Sequence, residues 1–280
     1  MKNDSLVIMA GGASSRMKRS LSGADLEDKV LSVAKNLHKS LIPLDDEGRP
    51  LLYFLLKNAL NSGIRTVYLV TSKDNEAFHN FVSQLQQKKA INGLEVKFAI
   101  QHVPAGREKP LGTADALQQC LEQHKNLLKE KFSVCNGDNL YGVDAFKMLS
   151  EERAPSNALV AYDGLALGHP EEKIAKFALL DFTKDHILTD IIEKPNSQEL
   201  NGYKKRHDRL WVSMNIFNLE GEIIYPFLVD CPLDPIRNEK ELPMAIKMMM
   251  ERFPQSILCF PCSERIPDLT SATDISSFFK

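Results

Sequence analysis

The chain has 280 residues, 43% of them hydrophobic and 26% charged, with a formal net charge of −2. That balance gives no electrostatic case for nucleic acid or an anionic membrane surface as a partner, and no run of about 18 apolar residues is present to span a bilayer. With no signal-peptide pattern at the N-terminus, the expectation is a soluble, cytoplasmic α/β protein, 1–280 forming one domain with a substantial core.

The first element is Leu6-Val7-Ile8-Met9, an apolar run that reads as a buried parallel strand. Ala10-Gly11-Gly12 ends it in a loop, where glycine lets backbone N–H groups approach a ligand closely. Ser14, Ser15 and Arg16 add hydroxyls and a guanidinium, so several donors can converge on one anion. The same residues also suit an ordinary strand-to-helix turn, and the chain further along decides between the two. From about Ala24 to Leu37, apolar residues recur at helical spacing (Leu26, Val30, Ala34, Leu37) behind a capping Ser22. Lys39 then stands beside a short apolar run, His38-Lys39-Ser40-Leu41-Ile42-Pro43-Leu44. Pro50 to Ser62 predicts a helix ended by Gly63, and Val67 to Thr71 a second buried strand. Asp74 caps a helix to about Gln87, and Val96 to Ile100 is a third strand. Strands and helices alternating in this way predict right-handed βαβ crossovers, with ligands bound at the carboxyl ends of the strands.

Gln101 stands just past the third strand, and Leu111-Gly112-Thr113-Ala114-Asp115-Ala116 opens a further helix with Thr113 as its cap. Phe132 to Cys135 is the next strand, ending in Asn136-Gly137-Asp138-Asn139. A carboxylate there is placed to hold a divalent cation on a triphosphate, because Mg²⁺ usually takes one or two carboxylates plus phosphate oxygens. The same residues also make a common turn. Ala158 to Tyr162 predicts a strand, and Lys176 to Leu180 with Ile187 to Glu193 a strand pair closed by Glu193-Lys194-Pro195. Pro195 to Leu210 reads as a polar, basic, exposed loop, and Leu210 to Phe217, containing Asn215, as a strand. Glu239 to Glu251 reads as a helix that places Met244, Met248 and Phe253 in the core, and Ile257 to Phe260 as a late strand. Five cysteines argue against a disulfide framework, and Cys259 with Cys262 lacks the second pair a structural zinc needs. Asp268 lies in the last segment, Ile266 to Asp274.

Taken in order, from Leu6 to about Asp274, these segments resemble the signature motifs of the nucleotidylyltransferases, in the branch that acts on sugar 1-phosphates. Of the five motifs only Leu-Gly-Thr-Ala-x-Ala is fairly specific by itself, and their shared order carries the likeness. The resemblance implies a Rossmann-like, three-layer α/β/α domain with a mixed, mostly parallel central sheet of the nucleotide-diphospho-sugar transferase type. Its nucleotide-binding half would cover about 1–140 and its acceptor-binding half about 141–280, with no hexapeptide repeats of an appended β-helix. The implied activity is Mg²⁺-dependent transfer of a nucleoside monophosphate from an NTP to a sugar 1-phosphate, releasing pyrophosphate. Ala10, Gly11, Gly12, Gln101, Gly112 and Thr113 would then bind the nucleotide, with UTP or another pyrimidine NTP favoured. Arg16 would meet the β/γ-phosphates, Lys39 phosphate oxygens, and Lys194 the sugar phosphate. Glu193 would take sugar hydroxyls, Asn215 the acceptor, and Asp138 with Asp268 the metal ion.

The chain departs from the family pattern at several places. Ser14-Ser15 stands for Gly-Thr, His38 for proline, Ser213 and Asn215 for Asn and Gly, Ser271-Ala272 for part of Gly-Thr-Pro, and 24–37 reads as an insertion. A transferase with a non-sugar acceptor (phosphocholine, an alditol phosphate or molybdopterin) and a non-catalytic nucleotide-sugar sensor therefore stay open, as does a homo-oligomer. A glycosyltransferase would need Asp-x-Asp after the fourth strand, and Asp138-Asn139-Leu140 is not that.

Overall fold

Leu6, Val7 and Ile8 of β1 (Ser5–Met9) are completely buried, as a strand covered by helices on both faces requires. The computed structural model describes residues 3–12, 14–21, 37–275 and 278. The helix expected over 24–37, with its Ser22 cap, lies outside these residues except for Leu37. After β1 come α1 (Ser15–Ser20), α2 (Leu51–Ser62), β2 (Thr66–Thr71), α3 (Glu76–Gln87) and β3 (Glu95–Ile100). Gly63 ends α2 at φ 104, a left-handed cap that glycine adopts without steric cost. The cap of α3 is Asn75 rather than Asp74. Then follow α4 (Thr113–Gln123), β4 (Lys131–Asn136), α5 (Val143–Ser150), β5 (Asn157–Asp163), α6 (Glu171–Ile174), β6 (Ala178–Phe182) and β7 (Leu188–Ile192). The chain finishes with α7 (Ser197–Arg206), β8 (Trp211–Glu220), α8 (Gly221–Asp230), α9 (Leu242–Arg252), β9 (Ile257–Cys262) and α10 (Ala272–Ile275).

The described strands form one sheet in the order β3-β2-β1-β4-β8-β5-β9, with β6 on β8 and β7 on β6. Pairing is parallel from β3 to β4 and between β5 and β9, and antiparallel wherever β8 or β6 takes part. Helices cover both faces: α2, α3 and α5 bury Leu52, Phe78 and Phe146 on one, while α4, α8 and α9 bury Leu117, Ile224 and Ile246 on the other. Each such side chain contributes roughly 1.5–3 kcal/mol. A third cluster packs Met17 and Leu21 at α1 against Leu269, Ala272 and Ile275. The first loop and the last segment therefore share one small core.

Strand β8 changes partners along its length. Val212 and Ser213 pair with β6, whereas Ile216 to Glu220 pair with β4. Asn215 sits at the changeover with φ 56, the left-handed bend that lets one strand serve two neighbours in turn.

Two sequence expectations are corrected here. Pro195 to Leu210 is not a loop, since it contains α7, started by a capping box in which Asn196 accepts from Gln198 and Glu199 while Glu199 reaches back to Asn196. In α9 the core contacts are Leu242, Ala245, Ile246 and Met249, with Met244 40% and Phe253 41% exposed. Cysteines are unbridged, Cys259 being buried on β9. No described helix is long and apolar enough to cross a membrane.

Candidate functional site

The loops after β1, β2, β3 and β4 are stitched together at their strands' carboxyl ends. Ala10 N–H donates to Val70 O (2.8 Å), Gly137 N–H to Met9 O (2.9 Å) and Gln101 N–H to Thr71 O (2.8 Å). A Cβ on Gly137 would lie 3.0 Å from Met9 O and 3.2 Å from Ala10 Cβ, so the close approach of the β1 and β4 loops depends on this glycine. No described atom lies within 4 Å of a Cβ placed on Gly12, which leaves room for a ligand there. Ser14 caps α1 at φ 53, and its hydroxyl accepts from Lys39 N–H at 3.2 Å, tying the glycine loop to the Lys39–Leu41 turn. Arg16 is exposed on α1.

Lys39 and Asp138 meet, Nζ on Oδ2, with side chains 15% and 19% exposed. Beside them, His38 Nδ1 lies 2.7 Å from Ser40 Oγ. Burial, together with the neighbouring Lys39 ammonium, lowers this imidazole to about 4, so it is neutral where proline is usual in the resembled motif. The Asp138 loop is hydrogen-bonded to the last segment: Leu269 N–H donates to Asp138 O (2.8 Å) and Leu140 N–H to Pro267 O (3.0 Å), with Asn139 bridged to Asp268. The two predicted metal ligands therefore stand on adjacent segments, yet each carboxylate holds a different lysine. Asp268 takes Lys173 Nζ at 3.0 Å and the Thr270 hydroxyl at 2.8 Å. Among the described residues no group of three or more His, Cys, Asp or Glu side chains could hold a metal ion. A magnesium ion needs only one or two carboxylates if phosphate supplies the rest, and both carboxylates already balance a cation. The donor set fits that ion.

On the other side of the glycine loop, Gln101 is buried, and Nε2 donates to Gly112 O (2.9 Å) and Asp115 Oδ2 (2.8 Å). Its amide group is committed to the protein, while Oε1 faces Gly11. Gly112 has φ 110, and a Cβ there would fall 2.5 Å from Lys240 O. Thr113 caps no helix with its side chain. Its hydroxyl instead accepts from Leu242 N–H (2.9 Å), while Ala114 N–H donates to Lys240 O (3.0 Å). The segment before α9 is thereby fastened to the 111–114 motif.

Glu241, in that segment, reaches Lys194. It takes Lys194 Nζ at 3.2 Å and the Arg237 guanidinium. Burial first, and Glu241 second, push the Glu193 carboxyl up to about 7. Lys194 has φ 44 and Asn215 φ 56. Together with Ser14, they are three of the seven described non-glycine residues at positive φ. Sequence reasoning gave no role to Lys173, Glu241, Arg237 or Asp115. Only Asp115, inside the Leu111–Ala116 motif, had a local signal; the others are charges with no spacing to mark them.

An open, mixed sheet, glycine loops at its carboxyl ends and a lysine–aspartate pair between them define a nucleotide-handling α/β fold. The profile of the nucleotidyl transferase family matches residues 5–253, and the chain belongs to that family. It is 26% identical over 228 residues to a glucose-1-phosphate adenylyltransferase of Hydrogenovibrio crunogenus, covering 80% of this chain and 49% of that protein. Over 223 residues it is 24% identical to the bifunctional protein GlmU of Methanococcus vannielii, covering 80% of this chain and 45% of that protein. The chain thus spans about half the length of the curated relatives it matches. A crystal structure of UDP-glucose pyrophosphorylase complexed with UDP-glucose superposes with a TM-score of 0.72 at 14% identity, covering 99% of this chain and 97% of that one. That likeness is one of fold.

Proposed function

We propose that the protein transfers a nucleoside monophosphate from an NTP to a sugar 1-phosphate, giving a nucleotide sugar and pyrophosphate. The observation that carries this reading is the Lys39–Asp138 pair, which joins the Lys39–Leu41 turn to the loop at the carboxyl end of β4. A phosphate oxygen is already ionised at neutral pH, so attack on the α-phosphorus needs positioning and charge neutralisation rather than a general base. Backbone N–H groups of Gly11 and Gly12, Lys39 and Arg16 hold the triphosphate. Lys194 holds the sugar phosphate and Glu193 accepts from sugar hydroxyls, with Asn215 bordering the acceptor. Asp138 and Asp268 would hold a Mg²⁺ ion, which would supply neutralising charge to the phosphates. Gln101 Oε1, its amide nitrogen being engaged, offers an acceptor that suits the imino N–H of uracil or thymine, which favours UTP or dTTP as donor.

The test is a sugar 1-phosphate labelled with oxygen-18 in its phosphate. Transfer as proposed leaves every labelled oxygen in the nucleotide sugar and none in pyrophosphate. Label appearing in pyrophosphate, or NTP consumed without a joint product, contradicts it.

A further inference from the structure

Asp268 is held more completely than a metal ligand in waiting needs to be. Its side chain is 8% exposed. Oδ1 accepts from Asn139 Nδ2 (3.4 Å), and the Thr270 hydroxyl lies 3.0 Å from Oδ1 and 2.8 Å from Oδ2. Oδ2 also carries the Lys173 ammonium at 3.0 Å, which reaches Asp274 Oδ1 at 3.5 Å. Asp274 is fixed in turn, its Oδ2 accepting from Thr270 N–H (3.0 Å) and Ser271 N–H (2.6 Å).

Lys173 is no loose surface cation. It lies in α6, whose turn is closed by Lys173 N–H on Pro170 O (2.8 Å) and Ile174 N–H on the same oxygen (3.1 Å). Ile174, the next residue, is 3% exposed and packs so closely on Gly164 that a Cβ there would lie 2.9 Å from it. The backbone that presents Lys173 is therefore anchored in the core, and its side chain is only 27% exposed. An ammonium and a divalent cation cannot share one carboxylate oxygen without strong like-charge repulsion.

Resting on the metal site described under the proposed function, we propose that Lys173 is a built-in counter-cation that competes with the divalent metal ion for Asp268, as Lys39 does for Asp138. Lys173 thereby sets how much metal the protein requires. Removing its charge opens Asp268 to the ion.

The experiment titrates the full chain with Mn²⁺ alone, following unbound Mn²⁺ by electron paramagnetic resonance. Lys173→Met is expected to bind about tenfold more tightly than the wild type, on the scale by which one close charge shifts ionic equilibria at a carboxylate. Lys173→Arg stays at the wild-type value, and the gain disappears when Asp268→Asn is added to Lys173→Met. Lys173→Gln, which keeps a donor for Asp268 without the charge, gives the same tightening if Lys173→Met does not fold. Folded Lys173→Met or Lys173→Gln protein with Mn²⁺ affinity at or below wild type overturns the proposal. Asp138→Asn in the Lys173→Met background separates this from the underlying reading. If affinity there is undiminished, the metal assignment of Asp138 fails; if it falls while Lys173→Met alone gives no gain, only the competition fails.

Discussion

The ammonium of Lys39 is hydrogen-bonded to the carboxylate of Asp138, 99 residues further along the chain. The contact joins the turn after the glycine loop to the loop after β4, and both groups are largely withdrawn from water. A partly buried ion pair of this kind adds little stability for its desolvation cost, so its placement where parallel strands end calls for a functional reason.

Asp138→Ala and Lys39→Met should each lower kcat by about 10²–10³, the range seen when one charge-stabilising group is removed from a transition state. Steady-state pyrophosphate release measures this, with circular dichroism to confirm the fold. Near-normal turnover in a folded Asp138→Ala variant would remove the metal assignment.

Glu193 should make both stability and acceptor binding depend on pH. Its carboxyl is raised from 4.5 to about 7, so the folded protein holds the proton more tightly than the unfolded chain. The stabilisation that follows is fully present below pH 4.5 and is lost as pH rises through 7. The thermal midpoint of the wild type should accordingly fall relative to Glu193→Gln across that interval. Over the same range the KM for sugar 1-phosphate should drop as the carboxylate forms, and Glu193→Gln should abolish that trend.

Gly112→Ala should cost roughly 1–3 kcal/mol from the left-handed backbone alone, before the clash with Lys240 O is added. Urea unfolding gives the figure. A neutral result would mean that the fastening of 111–114 to the α9 segment is looser than drawn.

Lys194→Met should raise the KM for sugar 1-phosphate roughly 10–100-fold while leaving the KM for NTP within about twofold, since a hydrogen bond to a charged group contributes about 1.5–3 kcal/mol. Equal effects on both substrates would place Lys194 outside the acceptor side.

The buried strands and the βαβ half were legible because Leu6 to Met9, Val67 to Thr71 and Phe132 to Cys135 are predominantly apolar runs with few polar interruptions. The α7 helix was not, because its residues are almost all polar and its only marker is the Asn196…Glu199 pair of a capping box. Met244 and Phe253 misled for a related reason: α9 has apolar residues on more than one face, and the neighbours it packs against choose among them. At the site, motif residues stood out because their chemistry is local: Gly11, Gly12, Gly112 and Asp138 terminate strands or open helices. Lys173 and Glu241 did not, since what matters about them is a partner distant in sequence, Asp268 for one and Lys194 for the other. No spacing rule reports such a contact. The Gln101 amide shows the same limit, for its engagement by Asp115 and Gly112 appears only once the loops close.

The most direct measurement is pyrophosphate release from UTP, dTTP, CTP, ATP and GTP, each with Mg²⁺ and each paired with a panel of sugar 1-phosphates. The account predicts release that requires one NTP and one sugar 1-phosphate together and that Asp138→Ala slows by about 10²–10³. Release independent of the sugar phosphate, or nucleotide binding with no release for any pair, would contradict it.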